Sequence, residues 1–335
     1  MGNINVDAIK NEVIRYGNAN PTALTPAVLS SEILLNQLAK PLAKVKGNWS
    51  FPSILMTNLL QAFSDKWTQF GSVQFANKTA KNYHLKVNLG INPYDVYGSW
   101  VEELYEEDKK PNEMPISQYI VNMLSGKITS ELAQASIVSV YDPAQKGSAT
   151  PDLTKIMNGL NAVVDGIVAD TTNPAFLIPV DASLNNDPVK KVNTFERGLP
   201  QNANVKAILV PLDLFFDYIE ARETPANEVI DYNAGYRRKT KYGRELIGVP
   251  GLTKMVAWVD GNLFRLYDRK DNPAQIDNVQ VQDYLMKIFI QFHLGYDFAV
   301  NQYVFVETQN AAKKRGLNNA TQNKLYYPNE LNLTV

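Results

Sequence analysis

The stretch PISQYIVNMLSGKITSELAQASIVSVY, residues 115–141, decides the interpretation of this sequence. Its apolar residues recur at steps of three and four, the spacing of a single apolar face on a helix. These residues are Ile116, Tyr119, Ile120, Met123, Leu124, Ile128, Leu132 and Ala135. Pro115 suits the first helical turn, where its missing N–H costs nothing. The pattern predicts a long one-faced helix that continues into a short strand through Ile137, Val138 and Val140.

A long helix with one apolar face needs a broad surface to pack against. Residues 283–307, near the other end of the chain, predict a long strand with an apolar face, interrupted near Gly295 and Asp297 and resuming at 303–306. That face carries Met286, Ile288, Ile290, Phe292, Leu294 and Tyr296. We therefore predict that these two distant stretches form halves of one domain and that the chain between them is inserted.

Composition limits the class of protein. The chain has 335 residues, 45% hydrophobic and 20% charged, which is enough for a sizeable core in one elaborated domain or two. Its net charge of -1 does not indicate a dedicated binder of nucleic acid or of anionic membranes. The absence of cysteine excludes disulfides, thiolate nucleophiles and cysteine metal sites. Without a signal peptide or an apolar run long enough for a membrane span, we expect a protein made and used in a cytosol.

Two helices and a long hairpin are predicted before the central helix. One helix is capped at Thr25 and extends to Leu42 with a break at Pro41, and the next begins at Ser53 and carries Trp67. The hairpin pairs 66–75 with the strictly alternating stretch 83–91.

A two-stranded ribbon alone is marginal in water, so this hairpin needs a partner. Either it reaches a neighbouring copy or it joins the main sheet, and the sequence leaves both open. The candidate inter-subunit contacts in and beside it are Trp67, Phe70, Lys78, Lys81 and Tyr83.

After the central helix, the patterns predict a compact α/β block. Thr150-Pro151-Asp152 predicts the start of a helix that extends to Ile167, and residues 205–210 predict a buried strand followed by a helix at Pro211. Residues 254–259 and 263–267 flank Asp260-Gly261-Asn262, which predicts a hairpin. The order of elements indicates an α+β fold with a nested insertion, not a doubly wound sheet.

The sequence offers few groups for catalysis. The two histidines, His84 and His293, lie in predicted strands on the less apolar face, which favours surface positions over a catalytic or metal role. No nucleophile elbow, P-loop or dinucleotide-binding motif occurs. We therefore predict a protein that is not an enzyme and has no catalytic, cofactor or metal site.

One basic and aromatic run stands out, residues 236–244. It could bind a phosphate backbone, or it could meet an acidic patch on another subunit. The near-neutral total charge favours the subunit contact. The candidate contact residues here are Arg237, Arg238, Lys239, Lys241 and Arg244.

Three local phrases and the order of elements together resemble a known family. The phrases are Ala207–Pro211 followed by Phe215 and Tyr218, then 246–251 (LIGVPG), then 292–307. The chain resembles the major capsid proteins of tailed bacteriophages, whose Hong Kong 97-like fold is shared with encapsulins. The resemblance extends over most of the chain through architecture and weak local patterns.

The resemblance implies a division of the chain into named parts. These are an N-terminal arm and helix (1–48), a helix with the extended-loop hairpin (49–95, the hairpin itself at about 64–92), a peripheral domain (96–148 plus 280–312) containing a spine helix (115–139), an inserted axial domain (149–279), and a C-terminal tail (313–335).

The resemblance implies a structural protein that assembles into the icosahedral head enclosing phage double-stranded DNA. Its partners would be copies of itself in pentamers and hexamers, packaged DNA on the inner face without sequence specificity, and portal, scaffold or decoration proteins, but no membrane. Its location would be the virion, after assembly in the host cytoplasm. Two alternatives stay open: an encapsulin-like compartment shell, and a soluble ligand-binding or hydrolase domain with its site in 149–279, at the loop 233–244.

Overall fold

The computed structural model describes most of the chain. The described residues are 11–12, 15–16, 19–20, 23–56, 60–69, 71, 73–92, 98–102, 115–222, 235–268, 275–282, 285–310, 312–330 and 333. For 53–56, 74, 76, 275–279 and 281–282 the description covers the backbone alone.

Seven helices and thirteen strands are delimited within these residues. The helices are α1 Thr25–Leu29, α2 Leu34–Leu38, α3 Ile116–Val138, α4 Leu160–Ala169, α5 Pro188–Gly198, α6 Leu212–Arg222 and α7 Ala320–Tyr326. The strands are β1 Lys40–Leu42, β2 Asn48–Met56, β3 Val73–Lys81, β4 Tyr83–Ile91, β5 Phe176–Pro179, β6 Ala207–Pro211, β7 Arg237–Lys239, β8 Glu245–Val249, β9 Val256–Trp258, β10 Leu263–Tyr267, β11 Gln275–Gln282, β12 Leu285–Phe298 and β13 Val304–Thr308.

The first sheet is built around β12. Strands β10 and β11 pair antiparallel with its two ends on one side, β4 pairs antiparallel on the other side, and β1 extends the sheet from β10. The predicted apolar face of β12 is buried at every second residue from Met286 to Tyr296. It shares one core with the buried face of α3, as the two patterns predicted.

The second sheet has the order β5-β13-β9-β6-β8-β7 and mixes parallel and antiparallel pairs. Its core includes side chains of α5, α6 and α7. Gly248 lets β8 lie against α6, because a Cβ there would lie 2.7 Å from the ring of Phe215.

Strands β2 and β3 form a separate two-stranded hairpin. Their register extends over nine pairs, from Asn48 opposite Lys81 to Met56 opposite Val73. The predicted hairpin partner was therefore wrong: β4 pairs with β12 in the first sheet, and the strand opposite β3 is β2. The prediction of a helix that starts at Ser53 is also wrong, because residues 53–56 belong to β2.

The helix predicted from Thr25 to Leu42 is divided into α1, α2 and strand β1. Asn36 explains the break, because its side-chain amide donates to the carbonyls of Val28 (2.9 Å) and Ser30 (2.8 Å) and fixes the turn between the two helices.

The central helix is confirmed as α3, with two differences from the prediction. It ends at Val138 and no strand follows, because the amides of Val140 and Tyr141 bond to Thr154 O (2.7 Å) and Asn158 Oδ1 (2.9 Å) in the next turn. Met123, predicted on the buried face, is 56% exposed.

The helix predicted from Thr150 to Ile167 is also divided. Asp152 accepts a bond from the amide of Thr154 and caps a single 3₁₀ turn, and α4 begins only after Gly159. A Cβ at Gly159 would lie 2.7 Å from the carbonyl oxygen of Ala135, so this glycine permits the chain to pass the end of α3.

Asp260-Gly261-Asn262 joins the two sheets rather than two strands of one hairpin. The Asn262 side chain accepts from Val300 N (2.9 Å) and donates to Val300 O (2.8 Å), which holds the turn against the chain after β12. Strand β9 therefore stays in the second sheet and β10 enters the first.

The sheets do not follow the predicted boundary at 279/280. Strands β10 and β11 belong with β12, whereas β13 belongs with β5 and β9. The chain after residue 313 is not simply a polar tail, because Leu317, Leu325 and Tyr327 are buried in the second core.

Candidate assembly interface

Hydrogen bonds join the two ends of the β2–β3 hairpin at its base. The amide of Asn82 donates to Gly47 O (2.9 Å), the Asn82 side chain accepts from Gly47 N (2.7 Å), and its Nδ2 donates to Val45 O (2.6 Å). The ring of Phe51 lies 5.0 Å from that of Phe264 in β10. The two ends of the hairpin are therefore held in a fixed place.

An ion pair joins the hairpin to β12. Lys78 Nζ lies 2.5 Å from Asp297 Oδ1, and the two side chains are only 14% and 15% exposed. Burial lowers the pKa of Lys78, and burial raises the pKa of Asp297, while the pairing opposes both shifts. Lys78, predicted as an inter-subunit contact, thus contacts its own chain.

The rest of the hairpin presents large apolar side chains to water. Leu60, Phe63 and Trp67 are 95%, 93% and 86% exposed, and Phe75 is also exposed. We name these four side chains the hairpin patch. Several large apolar side chains exposed on one hairpin are typical of an interaction surface. Trp67, one of the predicted contacts, belongs to the hairpin patch, and Phe70 lies outside the described residues.

Tyr83 does not lie on an outer surface. It is 7% exposed, its ring is 4.7 Å from that of Tyr141, and Lys81 Nζ lies 5.4 Å and 4.7 Å from the two ring centroids. Burial raises the pKa of Tyr83 to about 12. Tyr83 was predicted as a contact from its place in a hairpin, but β4 belongs to the first sheet and turns this residue into the core.

The basic run 236–244 forms strand β7 and the turn into β8. Arg237 Nη1 lies 3.0 Å from Glu245 Oε1, and Arg244 Nη1 lies 3.2 Å from Glu196 Oε1. The Glu196 side chain is completely buried, and its Oε1 accepts from both Arg244 and the hydroxyl of Thr240 (2.8 Å). Arg237 and Arg244 therefore have structural roles within the chain.

The other cations of the run differ in exposure. Arg238 is partly buried, and its Nη1 donates to the carbonyl of Arg237 (2.9 Å). Lys239 and Lys241 are exposed, as are the neighbouring side chains of Tyr236 and Tyr242. Lys239 and Lys241 remain candidate contacts.

The two histidines, 209 positions apart, are cross-strand neighbours in β4 and β12. Their rings are stacked, with centroids 4.3 Å apart and planes 3° apart. His84 Nε2 lies 3.1 Å from Gln291 Oε1, and His293 Nδ1 lies 3.4 Å from Asp268 Oδ2. The strand prediction was right for both, but the sequence did not indicate the pairing.

Sequence reasoning missed some exposed apolar residues on the body of the protein. Met123 on α3 and Phe216 on α6 are about half exposed, and so is Leu285 at the start of β12. The signal that could have identified Phe216 is an apolar residue at a helix position opposite the main apolar face.

Within the described residues, no cluster of three or more His, Asp or Glu side chains is arranged to hold a metal ion. No helix in that part of the chain is both long and apolar enough to cross a bilayer.

No protein-family model matches the sequence, and no curated protein matches it. Solved structures do match. A chain in the structure "Satellite phage P4 procapsid including size determination (Sid) protein" is 10% identical, with a TM-score of 0.51 over 85% of this chain and 99% of that one. A chain of Gordonia phage Cozz is 12% identical, with a TM-score of 0.50 over 82% and 86%. The chain has the tailed-phage capsid fold.

Proposed function

We propose that this protein is the major capsid protein of a tailed phage, a structural subunit without enzymatic activity that assembles into an icosahedral shell around double-stranded DNA. Its fold is that of capsid chains. The observation that carries the proposal is the hairpin patch: the free chain leaves it in water, and a neighbouring copy is the surface that would bury it.

The energy available from that contact is substantial. Complete burial of one large apolar side chain stabilises by about 1.5–3 kcal/mol, so Leu60, Phe63 and Trp67 together offer roughly 5–9 kcal/mol. This value is an upper bound, because association also orders the hairpin and the partner surface. Repeated around a ring of subunits, contacts of this strength support stable capsomers.

The two sheets correspond to the two domains of the proposed shell subunit. We assign the peripheral role to the first sheet with α3 as the spine helix, and the axial role to the second sheet. The β2–β3 hairpin takes the role of the extended loop. Other proposed partners are packaged DNA and portal, scaffold or decoration proteins, and the proposed location is the virion after assembly in the host cytoplasm.

The test removes the hairpin without disturbing its base. Replacement of residues 52–77 by Asn-Gly joins Phe51 to Lys78, which are directly opposite in the register, through a two-residue hairpin turn. The Phe51–Phe264 and Lys78–Asp297 contacts stay in place. We expect large shells or capsomer rings from the native chain, and folded monomers from the variant, on a large-pore sizing column and by negative-stain imaging.

The excision must not extend into β4, because that strand pairs with β12 along its whole length in the first sheet. A milder variant, Trp67→Ser, should weaken assembly without altering the thermal transition of the free subunit, with exposed Lys127→Ser on α3 as its control. Normal shells from the excised chain would contradict the role of the hairpin. A native chain that stays monomeric when concentrated, with and without co-expressed scaffold, would contradict the shell itself.

A further inference from the structure

A cavity of about 610 Å³ lies at the free edge of β4. We name it the edge pocket. Its walls are the chain at 81–86, the loop 141–156 that follows α3, and Gln291 and His293 of β12. It lies apart from the hairpin patch, and no part of the proposed assembly mechanism uses it.

Positive charge dominates the lining. Among the described residues of the lining, Lys81, Lys86, Lys146 and Lys155 contribute four ammonium groups, against one carboxylate, that of Asp142. The Asp142 carboxylate caps a 3₁₀ turn, where its Oδ1 accepts a hydrogen bond from the amide of Ala144 (2.9 Å). The pocket is therefore strongly cationic in a chain whose total charge is -1.

These ammonium groups are available to a ligand. Lys86 and Lys146 are exposed, and neither has an ion pair among the residues described. Lys155 lies 3.5 Å from Asp152, but both side chains are about two-fifths exposed, so this pair is weak and screened by water. An anion could recruit all three side chains without breaking a buried contact.

The aromatic residues of the pocket indicate which part of a nucleic acid would bind. The rings of Tyr83 and Tyr141 pack on one another and Lys81 covers both, so their faces are not free to stack on bases. What remains is a set of flexible point charges, which suits phosphate oxygens and carries no sequence information.

We propose that the edge pocket is a binding site for phosphate groups and that a nucleic-acid backbone supplies them. The preference for nucleic acid over a free polyphosphate rests on the proposed function. In a shell filled with DNA, backbone phosphates lie against the inner face of every subunit. Three lysine–phosphate contacts, from Lys86, Lys146 and Lys155, predict that affinity falls about 40-fold between 50 and 200 mM salt, from a log–log slope of about -2.7.

The test measures binding of a 20-base-pair DNA duplex to the full-length chain across that salt range by fluorescence anisotropy. The variant K86S/K146S removes two of the three contacts, so its affinity should fall only about 3.5-fold over the same range. The matched control is K190S/K324S, which removes the same charge from two exposed lysines on α5 and α7, outside the pocket. Equal losses in both variants, or none in K86S/K146S, would overturn the proposal.

The histidines offer a second readout. The chain has only two, and both line the pocket, so histidine ring NMR signals report on this site alone. Addition of the duplex should shift both signals in the native chain and in K190S/K324S. If the duplex binds without shifting them, the phosphates lie elsewhere and the proposal fails.

Two competing ligands test whether a nucleic acid supplies the phosphate groups that bind. Inorganic pyrophosphate that binds as tightly as the duplex at 50 mM salt would overturn the assignment to nucleic acid. A peptide of residues 99–108, the chain's acidic segment, would overturn the phosphate assignment if it bound more tightly than both. Failure of these tests is separable from failure of the shell, because K86S/K146S can be imaged for assembly independently of its DNA affinity.

Discussion

Replacement of Lys78 by Met should leave Asp297 buried without a partner and destabilise the subunit. The substitution keeps most of the aliphatic stem but removes the ammonium group 2.5 Å from Asp297 Oδ1. In the described part of the chain, that oxygen accepts one other bond, from the amide of Phe298 (2.8 Å). An isolated buried carboxylate must either remain charged at a high energy or take up a proton.

Loss of one partner from a buried ion pair costs about 3–5 kcal/mol. For 335 residues unfolding together, the unfolding entropy near 60 °C is about 0.7 kcal/mol per kelvin, so the expected fall in Tm is about 4–7 °C. The matched control is Lys254→Met. Lys254 and Asp165 are 2.6 Å apart but 42% and 56% exposed, so this loss should be about 0–1 kcal/mol.

The pH dependence of the unfolding free energy identifies the cause of this destabilisation. In the Lys78→Met variant the folded-state pKa of Asp297 lies above its unfolded value, so the folded state binds a proton that the unfolded state does not. The deficit in free energy of unfolding should therefore be largest near pH 7 and shrink as the pH falls towards 4. Urea unfolding of the free subunit at both pH values measures it, and a second variant, K78M/D297N, should recover most of the loss at pH 7.

Two results would refute this reasoning. If Lys78→Met destabilises no more than Lys254→Met, the buried pair contributes nothing beyond an exposed one. If the deficit is the same at pH 4 and pH 7, the unpaired carboxylate is not its origin.

Three further outcomes follow from the structure. Gly295→Ala should destabilise the subunit by about 1–3 kcal/mol, because the new Cβ would lie 2.7 Å from a backbone oxygen at the end of β3. Gly126→Ala, in the middle of α3 with open space around it, should instead stabilise the subunit by about 0.5–1 kcal/mol. Thermal melts of the free subunit measure the sign of both effects. Burial, then the nearby His84, lowers the pKa of His293, so unfolding free energy should rise with pH through the range just below 6.5. His293→Gln should flatten that rise in urea titrations at pH 5 and 7, and an unchanged slope would contradict it.

Patterns that depend on one element alone were predictable. The three-and-four spacing in 116–135 and the alternation in 286–296 each state which face is buried, and the structure buries those faces against one another. The prediction from local pattern was wrong for β2, because Leu55, Leu59, Phe63 and Trp67 happen to be spaced like a helix. Nine cross-strand pairs with β3 override that spacing.

By itself, the sequence determined the mixed helix-and-sheet class, the central helix, the long closing strand and the absence of cysteine chemistry, because each depends on neighbours within a few residues or on composition. Only the tertiary structure decided which strand pairs with which. A strand's alternation specifies its buried face but not its partner. For that reason the Lys78–Asp297 pair, the stacked histidines and the cationic edge pocket exist only once β12 meets β3 and β4, which lie about 200 residues earlier in the chain.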